Sequence, residues 1–211
     1  MRYLYIDTSS SFLYTAIVED GKLISSRTED YGQSLSEVAL PKIVEMFEEN
    51  NLSPNSVDKI IVVDGPGSFT GIRIGITIAK VYAWSLKTPI TTISSLEAMA
   101  VSSTSNTIHV PMLNARRGYV YTAIYDENNK AIFNPKHIKL DEFKKELDSL
   151  SSYEIISNDE FEVEMETKSY TPDYVKIVET FKDRKDINPH AVNPNYLKLT
   201  EAEESKLWYT N

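Results

Sequence analysis

An apolar run over residues 3–6 opens the chain and stops at Asp7, and two further strand-like runs, 12–19 and 23–28, flank Asp20-Gly21. Asp-Gly between two such runs is a strong hairpin signal, because the glycine takes up a left-handed position without strain. Residues 34–50 switch to helical spacing through Leu35, Ala39, Ile43 and Phe47, and Pro41 inside that pattern predicts a kink or a late start. A turn at 51–55 leads into the buried-strand pattern of 57–63. A helix then runs from about Ser68–Thr70 to just before Thr88-Pro89, followed by a short strand at 90–93. Ser94 or Ser95 caps a further helix carrying Leu96, Ala98, Met99 and Val101.

Ser102-Ser103-Thr104-Ser105-Asn106 is the most linker-like stretch, so a domain boundary is placed there, with lobes over 1–103 and 104–211. Strands are predicted at 107–113, 118–125, 131–139 and 153–156, with a charged helix over 140–150. Residues 158–173 are polar and poorly patterned. A helix over about 172–181 presents Tyr174, Ile177, Val178 and Phe181 on one face. Residues 188–199 read as turns, and the last dozen, acidic and then aromatic at Trp208-Tyr209, as disordered. The order of elements gives an α/β protein, with two related halves as one arrangement.

The most specific segment is Gly65-Pro66-Gly67-Ser68-Phe69-Thr70-Gly71-Ile72-Arg73-Ile74-Gly75, which holds four of the seven glycines. Gly65, Pro66 and Gly67 form a structural turn between strand and helix. A helix start after such a turn can hold an anion, but the P-loop Lys-Ser/Thr pair is missing and the dinucleotide glycine pattern breaks at Thr70. At about 100° per residue, Ile72, Ile76, Ala79, Ala83 and Leu86 make one stripe on the following helix. Ile74, Ile78, Val81 and Tyr82 make a second, roughly opposite, beside Gly71 and Gly75. The remaining band holds Arg73, Thr77, Lys80 and Lys87 with Trp84. A helix apolar on two sides must be covered on both. One reading sandwiches it within its own domain; the other, preferred for so small a chain, packs its second side on a partner, with Gly71 and Gly75 letting another helix come close.

The 211 residues can bury a real core. The absence of cysteine excludes disulfides, thiolate metal sites and a cysteine nucleophile. His109, His137 and His190 lack metal-ligand spacing. A formal charge of −9 argues against strong nucleic-acid binding by the chain alone, leaving Arg116-Arg117 and the 182–185 run as solvated surface. No signal peptide or membrane span is read, so a soluble cytoplasmic protein is expected.

Ile6-Asp7-Thr8-Ser9, the eleven-residue glycine segment, Asn114-Ala115-Arg116-Arg117-Gly118-Tyr119-Val120-Tyr121 and Asn195-Tyr196-Leu197-Lys198 with Glu201-Ala202-Glu203 together resemble the bacterial TsaB (YeaZ) family. The likeness is strong over roughly the first 125 residues, faint over the next sixty, and returns near the end. It implies a two-lobed actin-like, Hsp70-like ATPase fold, each lobe a mixed sheet with helices. It further implies a non-catalytic subunit that pairs with a TsaD-type catalytic paralogue and a TsaE-type ATPase to make threonylcarbamoyladenosine in tRNA. A homodimer is expected when the chain is alone. No cofactor is expected on this chain by itself, and ATP is placed at the junction with partner subunits. Pairing would use the helix after the glycine loop, which puts the partner interface on Phe69, Thr70, Gly71, Ile72, Arg73, Ile74, Gly75, Ile76, Ile78 and Ala79. Of these, Phe69 and Ile76 are the leading contacts.

The family's metal-binding histidines have no counterpart in Tyr31-Gly32-Gln33-Ser34-Leu35-Ser36-Glu37, and Gln33 stands where many relatives keep a histidine. Asn114 replaces the aspartate that usually begins the arginine loop. No catalytic or metal residue is therefore assigned. Asp7 reads as a strand-ending aspartate bonded to nearby backbone, and Arg73 as a surface ion pair. The competing reading is an independent ATPase or metallopeptidase-like enzyme of the same superfamily.

Overall fold

The computed structural model describes residues 1–198; the acidic-aromatic tail read as disordered lies outside them. Two mixed sheets organise the chain. The first contains β1 (Arg2–Asp7), β2 (Phe12–Glu19), β3 (Lys22–Asp30), β4 (Lys59–Gly65) and β5 (Ile90–Ser94), in the order β3-β2-β1-β4-β5. The first three are antiparallel, whereas β4 and β5 run parallel to β1. Asp20 and Gly21 both take positive φ at the hairpin, as the Asp-Gly signal requires. Helix α1 (Leu35–Glu49) leads into β4, α2 (Phe69–Leu86) into β5, and α3 (Ser95–Ser102) follows β5.

The second sheet repeats the plan. Strands β6 (Ile108–Asn114), β7 (Tyr119–Tyr125) and β8 (Ala131–Lys139) are antiparallel. Helix α4 (Leu140–Leu147) then returns the chain to β9 (Tyr153–Ile156), which pairs parallel to β6 in the order β8-β7-β6-β9. Two lobes of related topology are the architecture of an actin-like fold.

The first sheet is buried on both faces, which is why β1 and β4 read as continuous apolar runs rather than alternations. Leu4, Ile6, Ile60 and Val62 face α1 and α2. Tyr3, Tyr5, Ile61 and Val63 face α3, α5 (Tyr174–Phe181) and the second sheet through Ala123, Tyr125 and Ile156. The tyrosines of this layer meet edge to face or tilted: Tyr5 with Tyr174 at 5.7 Å and Tyr14 with Tyr170 at 5.5 Å. Such pairs add roughly 0.5–1.5 kcal/mol beyond the area they bury.

Sheet one comes from residues before 95 and sheet two from residues after 107, but the chain does not stay in the second lobe. After α5 it laces back along the first. Arg184 grips Glu97, Lys59 pairs with Asp186 at 2.8 Å, Ile187 N–H donates to Ile90 O at 2.8 Å, and Asn195 N–H donates to Asp64 O at 2.7 Å. Val192 is buried beneath α2. This strap, 184–196, has no periodicity because each residue meets a different element.

Candidate docking face and interlobe cleft

The segment singled out in the sequence joins β4 to α2, with Ser68 as N-cap accepting Gly71 N–H at 3.2 Å. Its glycines admit backbone rather than ligand. A Cβ at Gly67 would come closer than 3.0 Å to Ser9 O, and one at Gly71 would do the same to Thr8 O. Gly65 is fitted just as tightly against Asn195 O of the strap. Thr8 goes further. Its hydroxyl donates to Gly71 O at 2.7 Å and accepts Gly75 N–H at 2.9 Å, tying the β1–β2 turn to the first turn of α2 through one oxygen. The room at Gly71 and Gly75, expected to admit a partner helix, is taken by the chain's own β1–β2 turn.

That turn decides the chemistry of the loop. Ser9 O accepts Ser68 N–H at 2.6 Å, and the carbonyl oxygens of Thr8 and Ser9 lie against the glycines. Negative ends of carbonyl dipoles stand where an anion would need N–H donors. Asp7 caps the same turn, buried, accepting Ser9 N–H at 2.8 Å and the Tyr5 hydroxyl at 3.3 Å, and burial pushes its carboxyl up from the ordinary value. The sequence reading of Asp7 as an aspartate bonded to nearby backbone matches this geometry.

Between the lobes lies a cleft of about 1020 Å³ whose walls are the Ser9–Ser11 turn, the glycine loop and the Asn114-Ala115-Arg116 loop. Asn114 is held by Asp159, which accepts its N–H at 2.7 Å, and by Glu160 O at 2.7 Å from its side chain. Arg116 and Arg117 both take positive φ in this tight turn and are exposed. Among the described residues, no three or more His, Asp or Glu side chains gather to hold a metal ion. His109 is buried near Ser105 O, His137 stacks on Tyr119 at 4.7 Å, and His190 sits in the strap.

Most of both apolar sides of helix α2 is covered by its own lobe, Val81 and Leu86 remaining exposed. Gly71, Ile72, Gly75, Ile76 and Ala79 are buried, Ile72 at 0% and Ile76 at 4% exposure, against β1, β4 and the strap. The expectation that these five touch a partner is thereby corrected: they are core. The second stripe meets α1, with Ile74 and Ile78 beside Leu13, Leu35 and Ala39, and Tyr82 against Phe47 at 6.4 Å. Helical periodicity identified both stripes but could not show that α1 supplies the second cover.

What α2 leaves to solvent is the band read as polar together with its margins. Trp84 of that band, Val81 of the second stripe and Phe69 at the helix start are each more than half exposed, and Thr70 and Arg73 are exposed as well. Leu40 and Val44 of α1 are 52% and 42% exposed, on the side of α1 that carries Phe47 toward α2. Ile74 and Ile78, half-buried, lie on the side of α2 that meets α1, whereas Phe69 packs on Tyr196 of the strap. These exposed apolar side chains stand on a chain of formal charge −9. Among the described residues Arg73 forms no ion pair with a glutamate, whereas a surface ion pair was expected. It lies over the Phe69 ring at 3.7 Å and donates through Nε to the Tyr196 hydroxyl at 2.7 Å. Sequence reasoning missed Tyr196 because the strap gave no element to place it on.

Asp64, last side chain of β4 before the loop, gives a pH test of this junction. Burial pushes its carboxyl from 3.8 up to about 6, opposed by a hydrogen bond from Thr92. The neutral acid is thus favoured in the folded state. The ionised form costs stability fully above pH ~6, and the cost fades as pH falls toward the unfolded value. Asp64→Asn is expected to raise the melting temperature by several degrees near pH ~8 and to leave it unchanged near pH ~4. A parallel offset at both pH values in thermal melts would contradict the assignment.

A two-lobed actin-like fold, its glycine loop packed with backbone and its first-lobe helices carrying exposed apolar side chains, defines the class. Comparison with known proteins gives the family. The TsaD family model, tRNA N6-adenosine threonylcarbamoyltransferase, matches residues 27–202. The chain is 31% identical over 221 aligned residues to the tRNA threonylcarbamoyladenosine biosynthesis protein TsaB of Bacillus subtilis, covering 96% of each. It is 30% identical over 137 residues to TsaB of Escherichia coli, covering 64% of this chain and 59% of that one. YeaZ from Pseudomonas aeruginosa shares the fold, with a TM-score of 0.74 at 17% identity over 92% of this chain and all of that one. The chain belongs to the TsaB (YeaZ) family. Among the described residues no helix is long and apolar enough to cross a membrane.

Proposed function

We propose that this chain is a non-catalytic subunit in tRNA threonylcarbamoyladenosine biosynthesis, which binds and positions a TsaD-type catalytic subunit and works with a TsaE-type ATPase. The observation that carries the reading is the apolar surface left on α1 and α2: Leu40, Val44, Phe69, Val81 and Trp84 stay exposed although most of both stripes of α2 is covered from within. The glycine loop supports it, since carbonyls of the β1–β2 turn fill the space a phosphate would need. The names of the relatives fix the pathway in which such a face would serve. In isolation the same face pairs two copies of the chain, and ATP belongs at the junction with the partners.

Mixing the chain with the TsaD-type subunit of the same organism should give a complex that elutes as one species in light-scattering chromatography. Two separate peaks at micromolar concentrations would reject the docking role. Thermal melts with ATP and magnesium separate the competing enzyme reading. The isolated chain should keep its melting temperature, whereas a rise growing with ligand concentration would favour an ATPase.

A further inference from the structure

Beside the strap, the exposed face of α2 carries one cation whose geometry is fixed in advance. Arg2 pairs with Glu19, Arg27 with Glu49 and Arg184 with Glu97. Arg73 is held differently. Phe69 and Tyr196 stack at 4.9 Å, the Arg73 guanidinium lies 3.7 Å above the Phe69 ring centre, and only its Nε is used, donating to the Tyr196 hydroxyl. Its two Nη groups make no hydrogen bond, and it has no carboxylate partner, among the described residues. None of the acidic side chains among the described residues neutralises this arginine. Two aromatic rings instead restrict its rotamers and leave the forked end of the guanidinium facing outward, the geometry that takes a carboxylate through both Nη donors.

We infer that Arg73, clamped by Phe69 and Tyr196, is an anchor that receives a single carboxylate of the catalytic partner on this exposed face. The inference rests on the docking role proposed above. The surroundings favour a protein carboxylate over nucleic-acid phosphates. Lys80, the neighbouring cation, is already committed to Val192 O at 2.8 Å, and the flanking groups Phe69 and Val81 are apolar. One preorganised cation inside an apolar rim is the pattern of an interface hot spot, whereas binding an RNA backbone takes several cations. Tyr196 acts as a positioning residue, through Nε alone.

Titration calorimetry of the unaltered chain and its variants against the TsaD-type subunit, at two salt concentrations, tests this. Arg73→Gln should weaken the complex about thirtyfold and flatten its salt dependence. Its melting temperature should match the unaltered chain, because Arg73 is exposed. Arg73→Lys should recover only part of the affinity, and Tyr196→Phe should lose less than Arg73→Gln does. Arg73→Glu should be rescued by one Asp/Glu→Arg exchange on the partner. A complex that Arg73→Gln changes by less than about twofold overturns the anchor and leaves the docking role standing. Failure of the unaltered chain to form any complex overturns both. If Arg73→Gln abolishes retention of a short single-stranded RNA while the protein complex is unaffected, the ligand is a phosphate and the carboxylate assignment falls.

Discussion

Gly71→Ala is expected to cost roughly 3 kcal/mol or more of folding stability, seen as a large fall in the urea midpoint with an unchanged slope. An alanine is ordinarily welcome inside a helix and gains up to about 1 kcal/mol over glycine. Here the added methyl would meet Thr8 O, a backbone atom that cannot swing aside as a side chain can. Relief requires moving the first turn of α2 away from the β1–β2 turn. That would break the pair of hydrogen bonds Thr8 makes to Gly71 and Gly75. Gly32→Ala is the control. Nothing lies within 4 Å of its added Cβ, and only its positive φ resists the change, so a loss of about 1 kcal/mol is expected. Equal losses at the two sites would show that backbone conformation, and not the close approach, sets the cost.

Ile76→Asp is expected to unfold the first lobe, while Val81→Asp is expected to leave the fold intact and abolish docking. The two positions are five residues apart on one helix. Ile76 is 4% exposed among Leu4, Ile6 and Val192, so a carboxylate there is desolvated without a partner, at a cost of at least ~4 kcal/mol. That approaches the whole stability of an ordinary domain. Val81 is 58% exposed, and its aspartate stays in water until a partner covers it. Circular dichroism and light scattering on the two variants separate the effects. A folded Ile76→Asp chain that fails to associate would restore Ile76 to the surface and reverse the assignment of the stripes.

That assignment also marks where the sequence stopped being legible. The hairpin at Asp20-Gly21 and the strand-turn-helix at the glycine segment could be read because each is local: turn chemistry, a cap and a run of apolar residues all lie within a few positions. The repeat of the first sheet in the second was visible only as an order of strands and helices. The two stripes of α2 are covered along most of their length, Val81 and Leu86 excepted. Their covers were not legible, because one is β1 and β4 and the other is α1, and a helical period says only that a cover exists. Gly71 and Gly75 misled for a related reason. Missing Cβ atoms signal close approach, but the approaching group, Thr8, lies 63 positions away from Gly71. The site was partly legible in the same sense. Phe69, Thr70 and Arg73, expected at a partner interface, are exposed, whereas Leu40, Val44 and Tyr196 come from segments whose proximity only folding creates.

The strap has a bearing on the order in which the protein comes into being. Ribosomes deliver the first sheet early, yet its β5 edge waits for Ile187 to take the Ile90 carbonyl, and α2 waits for Val192 to close its underside. Until then the nascent chain carries an open strand edge beside an apolar helix, a combination prone to sticking. Tyr196, which holds Arg73 in place, is delivered with the last of these pieces. A polypeptide that terminates prematurely, anywhere before the strap, would therefore display neither a closed lobe nor a finished docking face. Under the proposed docking role, assembly with a partner would then double as a check that translation was completed.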